Sequence, residues 1–296
     1  MNSKFFTAFL IVAFTGSLPA AKRESLPVTP PDTLRVEMNV EYGKTPEQVL
    51  KMDVYRPKEG GDKLPACVLV HGGGWTGGDK EKFTPLAIAL AQRGYVVANI
   101  EYRLAGAAKY PAAVQDCNAA VRFVRANAKR FGLDPNRIGA WGGSAGGHLV
   151  GLMAAAPSVE NFAAGNKDVS ARIQAAVVMA GPMELNSEKM IESLRKAKAE
   201  SNSYKWLGRF YDDAPELYRE ASPMAHLDKQ TAPTLFLRGA LDNPEADTAA
   251  MEKLKSLGVP AERIILPDAK HGCWLQRPWF EQCVEAVDAF FKKQLK

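Results

Sequence analysis

The feature that most constrains the fold is the run WGGSAGG at residues 141–147, a G-x-S-x-G pattern centred on Ser144. Glycine is needed on both sides of such a serine because the chain turns sharply from a strand into a helix, where side chains would clash. The flanks agree with this interpretation. Residues 136–141 form a short apolar run typical of a strand, and residues 148–156 predict a helix that ends before a proline.

The remainder of the chain alternates short apolar runs with helical patterns, which predicts one α/β domain over residues 22–296. Its hydrophobic content of 46% is sufficient for a sizeable core. Strands are expected near residues 34–41, 49–55, 64–70, 95–100, 136–141, 173–180, 232–237 and 261–266, and further helices at 83–93, 111–130 and the C-terminus. We therefore expect a mostly parallel sheet covered by helices on both faces.

A second constraining stretch is LPACVLVHGGGW at residues 64–75, a buried-type strand that leads directly into three glycines. It resembles the HGGG oxyanion-hole motif of α/β-hydrolase lipases and esterases. Backbone N–H groups reach a developing oxyanion only where no side chain intervenes, and each donor stabilises the transition state by about 3–4 kcal/mol. The resemblance implies that the donors are the N–H groups of Gly73, Gly74 and Ala145.

The same glycines allow a nucleotide-binding alternative, because Gly72, Gly74 and Gly77 also fit G-x-G-x-x-G and Glu101 follows the next strand. A dinucleotide site needs a helix that starts inside the motif, whereas residues 76–82 are polar and turn-like. A P-loop would need Lys followed by Ser or Thr after its last glycine, and this pair is missing. The pattern disfavours nucleotide binding, and no cofactor is predicted.

A serine nucleophile needs a base that accepts its proton and an acid that orients the base, and in this fold they follow in the order Ser, Asp or Glu, His. Among the four histidines, His271 lies in a loop between the last strand and the last helix, as a base should. Asp242 turns out of the preceding strand and is the predicted acid. Asp247 is the alternative acid, and a simple helix-capping role for Asp242 stays open. The other histidines are expected to serve the glycine motif (His71), the serine turn (His148) and structure (His226).

Taken together, these motifs resemble an α/β-hydrolase of the carboxylesterase group related to hormone-sensitive-lipase-like esterases and to bacterial feruloyl or acetyl-xylan esterases. The resemblance covers nearly all of residues 22–296. Its pieces are residues 71–75, 94–98, 102–104, 110–113 with Asp116, the Ser144 turn, the Asp242 turn and the His271 loop. It implies that Ser144, Asp242 and His271 are catalytic. One departure is Arg238, where many relatives carry His; this position has no assigned catalytic role.

Residues 181–231 interrupt the alternation with a long, charged stretch that contains Trp206 and several other aromatic residues. One interpretation is a small cap insertion over the active site that sets specificity. The other is a surface excursion whose aromatic residues plug the core.

The first 21 residues predict a secretory signal peptide, with Lys4, an apolar stretch too short for a membrane span, and small residues before Lys22. The mature chain is therefore expected to be periplasmic or secreted, without a stable membrane anchor. In an oxidising compartment Cys273 and Cys283 are candidates for a disulfide, whereas Cys67 and Cys117 are expected to be buried thiols.

Charge and ligand chemistry exclude several partner classes. The net charge of +5 is scattered along the chain, which is typical of a solvated surface and not of a nucleic-acid-binding face. No cysteine pairs with histidine at a metal-binding spacing, so no metal is predicted.

The expected substrate is a small-molecule or carbohydrate ester, and acetyl or feruloyl esters of carbohydrates are favoured by the resemblance and the export signal. Trp75 and Trp274 are expected to bind substrate, because they lie beside the oxyanion and histidine loops and could stack on sugar or phenolic groups. An amidase or formamidase with the same triad, and a catalytically silent binding protein of the same fold, are the alternatives.

Overall fold

The predicted strands assemble into one eight-stranded sheet in the computed structural model, which describes residues 25–156 and 164–296. The predicted signal peptide at residues 1–21 lies outside the described residues. The strands are β1 (Leu34–Lys44), β2 (Val49–Pro57), β3 (Leu64–Val70), β4 (Val96–Ile100), β5 (Leu133–Gly143), β6 (Ala175–Met179), β7 (Thr234–Gly239) and β8 (Ala261–Leu266). The sequence located all eight.

The sheet order is β1-β2-β4-β3-β5-β6-β7-β8. The pairs β1–β2 and β2–β4 are antiparallel, and every other neighbouring pair is parallel. Parallel strands place their carboxyl ends on one edge, so the turns after β3, β5, β7 and β8 gather there. These four turns carry the predicted site residues.

Helices cover both faces of the sheet. They are α1 (Thr84–Ala91), α2 (Ala112–Ala126), α3 (Ala128–Phe131), α4 (Ala145–Ala155), α5 (Glu188–Ala197), α6 (Asn202–Leu207), α7 (Pro215–Glu220), α8 (Thr248–Ser256) and α9 (Trp279–Gln294). Helices α1 and α9 pack with one hydrophobic cluster, whereas α2, α4, α6 and α8 pack with the other. In β3, Val68 and Val70 point into one cluster and Cys67 and Leu69 into the other, as the two-residue period of a strand requires. The predicted α/β-hydrolase architecture, a mostly parallel sheet with helices on both faces, is confirmed.

Two helices differ from their expected bounds. The helix expected at 111–130 is divided into α2 and α3 at Asn127, which adopts a non-helical conformation. The helix after Ser144 begins at once, at Ala145, because the glycines there do not interrupt it and its first turn closes against the serine carbonyl (His148 N to Ser144 O, 3.0 Å).

The stretch 181–231 contains α5, α6 and α7 together with two short 3-10 turns. Its Trp206 is fully buried (0% exposed) within the larger hydrophobic cluster. Trp206 is therefore a core residue, and its buried indole offers no face to a substrate. The outer part of the stretch is more exposed, with Phe210 at 42%.

Candidate active site

Ser144 occupies a strained turn between β5 and α4. Its φ of +55° and ψ of −121° lie in a region that residues with side chains rarely adopt. The neighbouring glycines are required by contact distance. A Cβ on Gly142 would lie 2.2 Å from the carbonyl oxygen of Gly146, and one on Gly146 would lie 2.1 Å from that of Val70. The turn is closed by the bond from Ser144 N to Met179 O at 2.7 Å.

The structure brings Ser144, His271 and Asp242 into one hydrogen-bonded line. Ser144 Oγ lies 2.9 Å from His271 Nε2, and His271 Nδ1 lies 2.7 Å from Asp242 Oδ2. The three residues come from the ends of β5, β8 and β7, separated by 127 and 29 positions along the chain. With Nδ1–H donating to Asp242, Nε2 is left to accept the serine proton, which is the arrangement that activates a hydroxyl as a nucleophile.

The competing assignments for the acid are not compatible with this geometry. Both carboxylate oxygens of Asp247 accept hydrogen bonds from Arg238 at 2.8 Å, and the side chain is fully buried, so the alternative acid is wrong. Helix α8 begins at Thr248 with Asp247 at its N-cap position, which excludes Asp242 as the cap of that helix.

The glycine loop after β3 packs directly against the serine turn. A Cβ on Gly72 would lie 2.7 Å from Gly143 O and 3.1 Å from Ser144 Cβ. Gly73 and Gly74 have φ values of +131° and +61°, where glycine is favoured. Within the described residues, none of the backbone hydrogen bonds of turns and loops is donated by the N–H groups of Gly73, Gly74 or Ala145. The loop continues into a 3-10 turn at Lys80–Phe83 rather than into a helix, so it lacks the helix N-terminus that a dinucleotide needs.

Buried polar contacts hold this loop in place. Tyr102 donates from its hydroxyl to the carbonyl of His71 (3.0 Å), and the two rings stack with centroids 4.4 Å apart. At the far end, the Lys80 ammonium is buried 3.0 Å from Asp53. Burial alone would lower the pKa of Lys80, but its hydrogen bonds to Glu81 and Asp53 outweigh burial and raise the pKa to about 12. The loop is thus preorganised by the protein before any substrate binds.

The two tryptophans expected to bind substrate are packed into the protein, and that prediction is wrong for their rings. Trp75 is 6% exposed, with its ring stacked on Trp206 and its edge against His148. Trp274 is 4% exposed and makes an edge contact with the His271 ring at 5.3 Å. A Cβ on Gly143 would lie 3.0 Å from the Trp274 ring. Trp274 therefore supports the histidine loop against the serine turn.

His148, four residues after Ser144, is a structural residue as expected. It is fully buried, and its Nε2 lies 2.7 Å from the carbonyl oxygen of Ala221. Burial lowers its pKa to about 4, so the ring is neutral at neutral pH. It links α4 to the segment that follows α7.

Sequence reasoning missed one contact at the oxyanion loop. The exposed side chain of Asn202, at the start of α6, fills the space next to Gly74: a Cβ on that glycine would lie 2.2 Å from Asn202 Nδ2. Asn202 Oδ1 also lies 3.4 Å from Thr76 Oγ1. No local pattern marks Asn202, because the contact joins residues 128 positions apart.

The four cysteines are free thiols in this structure, so the Cys273–Cys283 bridge considered from the sequence is not formed. The two thiols are hydrogen-bonded to each other, and this bond together with burial raises the pKa of Cys283.

Among residues 25–156 and 164–296, no group of His, Cys, Asp and Glu side chains could hold a metal ion. In the same residues no helix has both the length and the apolar character that crossing a bilayer requires.

Comparison with solved structures shows the same architecture elsewhere. A truncated carbohydrate esterase from gut microbiota is 24% identical, with a TM-score of 0.76 over 90% of this chain and 98% of that one. Esterase 2 of the planctomycete Thermogutta terrifontis, with propionate bound, is 27% identical, with a TM-score of 0.70 over 88% of this chain and 94% of that one.

Comparison with curated proteins gives relatives named as esterases. Esterase LipC of Mycobacterium tuberculosis is 31% identical over 241 residues, 78% of this chain and 58% of LipC. The chain spans only about half the length of the first relatives it matches, with 56% for the esterase LipQ of the same organism. The BD-FAE family model matches residues 52–252, which hold most of β2, the strands β3 to β7, the glycine loop, Ser144 and Asp242. The chain belongs to the BD-FAE family.

Proposed function

We propose that this protein is a serine carboxylesterase. The observation that carries the proposal is the continuous line from Asp242 Oδ2 through the imidazole of His271 to Ser144 Oγ, with distances of 2.7 and 2.9 Å. The adjacent glycine loop supplies N–H donors without acceptors of their own. Support also comes from the esterase names of the relatives.

In the proposed reaction, Ser144 Oγ attacks the ester carbonyl carbon as its proton passes to His271 Nε2. Asp242 stabilises the imidazolium through Nδ1–H, and the N–H groups of Gly73, Gly74 and Ala145 bind the oxyanion of the tetrahedral intermediate. The intermediate collapses, the C–O bond to the alcohol breaks, and His271 gives the proton to the departing alcohol oxygen. A water molecule, deprotonated by His271, then hydrolyses the acyl-enzyme and releases the acid and free Ser144.

The proposed substrates are acetyl or feruloyl esters of carbohydrates. The His271 side chain is 51% exposed, and Trp206 is packed in the core instead of over the site. An open site of this kind accommodates a bulky alcohol such as a sugar unit more readily than a deep closed pocket would.

We further propose that residues 1–21 export the enzyme, which would bring it to extracellular glycans. N-terminal sequencing of exported protein that starts after Ala21 would support export with cleavage, and retention of residues 1–21 would count against it.

The reaction class is tested with para-nitrophenyl esters from acetate to decanoate and the purified mature protein. Ser144→Ala is expected to lower kcat by several orders of magnitude, up to roughly 10⁶-fold where a triad acts as a unit. His226→Ala is the matched control for His271→Ala, because His226 lies outside the site and its Nε2 contacts Glu220 O. Equal rates for the wild type and Ser144→Ala would contradict the proposal.

The substrate class is tested separately, with acetylated xylan and methyl ferulate beside para-nitrophenyl acetate and an anilide of the same acyl group. A higher kcat/KM for the carbohydrate or feruloyl ester supports the finer proposal. Activity confined to short synthetic esters would support the esterase reaction but contradict a carbohydrate-ester substrate. Faster cleavage of the anilide than of the ester would favour an amidase.

A further inference from the structure

Arg238, the penultimate residue of β7, carries a charged side chain into the interior beside the acid turn. The residue is 6% exposed. A guanidinium removed from water to this extent needs partners for its N–H groups, because an unpaired buried charge is strongly destabilising. Its contacts therefore indicate what the side chain holds together.

The charge of Arg238 is balanced by Asp247. Nε donates to Asp247 Oδ2 and Nη2 to Oδ1, both at 2.8 Å, a two-pronged arrangement that fixes the plane of the guanidinium. Asp247 is itself fully buried at the N-terminus of α8. The pair is thus a rigid reference point behind the acid turn.

The remaining donors of the same guanidinium reach two backbone carbonyls. Nη1 lies 3.4 Å from the carbonyl oxygen of Asp242 and Nη2 lies 3.1 Å from that of Gly181. Arg238, to which the sequence assigned no catalytic role, thus contacts the backbone of a triad residue. The next residue, Asn243, has a φ of +48° in the left-handed region. The Arg238 contact fixes the backbone from which the Asp242 carboxylate is presented.

Gly181 extends the connection to the serine. A Cβ on Gly181 would lie 2.4 Å from His148 N and 2.5 Å from Gly147 C, so this segment lies directly against the first turn of α4. That helix begins at the residue after Ser144. The Arg238 guanidinium therefore joins the backbone carbonyl of Asp242 to the segment around Gly181, which packs against the first turn of α4.

We infer that Arg238 is a positioning residue that holds the Asp242 turn in register with the Ser144 turn, with Asp247 as its fixed counterion. This inference rests on the proposed esterase function. If Arg238 is removed, the Asp242 turn is expected to shift and the Asp242–His271 hydrogen bond to lengthen. A displacement of about 1 Å in a catalytic group lowers the rate by up to about 100-fold. A purely structural ion pair would affect folding but not this alignment.

The test separates stability from alignment. Arg238→Met leaves the Asp247 charge buried and unpaired, so it is expected to lower both Tm and kcat. The double variant Arg238→Met/Asp247→Leu removes both charges, and such replacements commonly recover stability. In the double variant we expect Tm to rise above that of the single variant while kcat for para-nitrophenyl acetate stays about 10- to 100-fold below wild type with KM little changed.

Arg263→Met is the matched control. Arg263 is a half-buried arginine on β8 that contacts the same loop through Pro244 O (3.2 Å) and the start of α8 through Thr248 Oγ1 (2.9 Å), without touching Asp242. Its kcat is expected within about twofold of wild type, as for substitutions away from the site. Arg238→Lys serves if the double variant does not fold: it keeps a charge for Asp247 but loses the planar fork that spans both carbonyls, and a roughly tenfold fall in kcat is expected.

A second readout does not depend on turnover. The downfield proton resonance of His271 Nδ1–H, assigned by its absence in His271→Gln, is expected to shift or broaden in the folded double variant and to stay unchanged in Arg263→Met. A double variant or Arg238→Lys protein with wild-type kcat and an unchanged resonance overturns the inference. A wild type that cleaves no ester overturns the proposed function instead, while the resonance still decides the role of Arg238.

Discussion

Trp206 stacks on Trp75 with ring centroids 4.9 Å apart and planes 11° from parallel. The contact joins the stretch 181–231 to Trp75, the residue that follows the oxyanion glycines. The His148 ring packs against the same tryptophan, perpendicular to the ring of Trp206. The backbone bond from Tyr110 N to Trp206 O (3.0 Å) fixes the same point. The stretch 181–231 thus supports the oxyanion loop from within the core, through Trp206.

Replacing Trp206 with alanine should mainly destabilise the fold. Truncation of a fully buried tryptophan leaves a large cavity and is expected to lower the free energy of unfolding by about 3–5 kcal/mol. Preference among esters should stay unchanged. Chemical denaturation and ester profiles measure the two effects, with Phe210→Ala as an exposed aromatic control expected to cost under about 1 kcal/mol. A changed ester preference at unchanged stability would return Trp206 to a substrate-contacting role.

Replacing Gly74 with alanine should impair the oxyanion loop. The added Cβ would lie 2.2 Å from Asn202 Nδ2, and a φ of +61° is strained for alanine. Misplacing one oxyanion donor is expected to lower kcat by about 10²- to 10³-fold. The double variant Gly74→Ala/Asn202→Gly removes the clash but not the backbone strain, so it should recover part of the loss. If the double variant is no faster than Gly74→Ala, Asn202 is not the obstacle.

Replacing Asp242 with asparagine should disable His271 without removing the side-chain volume. The amide favours the wrong tautomer of the histidine, and in triads of this kind the change lowers kcat by about 10⁴-fold. Asp268→Asn is the matched control, because it makes the same change three residues before His271 and asparagine tolerates the φ of +54° at that position. Steady-state kinetics of both variants decide the point, and comparable losses in the two would argue against Asp242 as the acid.

Stability should decrease as the pH falls from about 6.5 towards 4, in part because of His148. Burial lowers its folded-state pKa to about 4, from the ordinary histidine value of 6.5. The unfolded chain therefore binds a proton over this range that the folded chain does not, so the contribution is fully present above pH 6.5 and is lost as the pH falls towards 4. Linkage gives about 3 kcal/mol for this group at full effect.

Urea denaturation at pH 7.5 and 4.5 measures the prediction, with His148→Gln as the comparison. The variant is expected to be less stable at pH 7.5 because the buried site is disturbed, but to lose less stability between the two pH values. An identical pH dependence in wild type and variant would show that other groups account for the whole effect.

Much of this protein is determined by local sequence. Local patterns located all eight strands, and for the central strands β3 to β7 the reason is burial on both faces of the sheet, which requires largely continuous apolar runs. The glycines around Ser144 and at 72–74 predicted sharp turns, and the structure gives the reason: a Cβ on Gly72, Gly73, Gly142 or Gly146 would lie within 3 Å of neighbouring backbone atoms. The order Ser144, Asp242, His271 was expected from the resemblance, because triads of this fold follow one another in that order along the chain.

Tertiary structure alone decided how distant residues meet. Trp75 and Trp274 appeared available to a substrate in the sequence, yet each is covered by residues from elsewhere in the chain, Trp75 by Trp206 at a separation of 131 positions. The choice between Asp242 and Asp247 likewise depended on the direction of each carboxylate. Asp242 faces His271, whereas both carboxylate oxygens of Asp247 accept hydrogen bonds from Arg238. Spacing along a chain records which residues share a turn or a face, whereas burial and hydrogen-bond partners are set by the packing of elements that the local pattern does not describe.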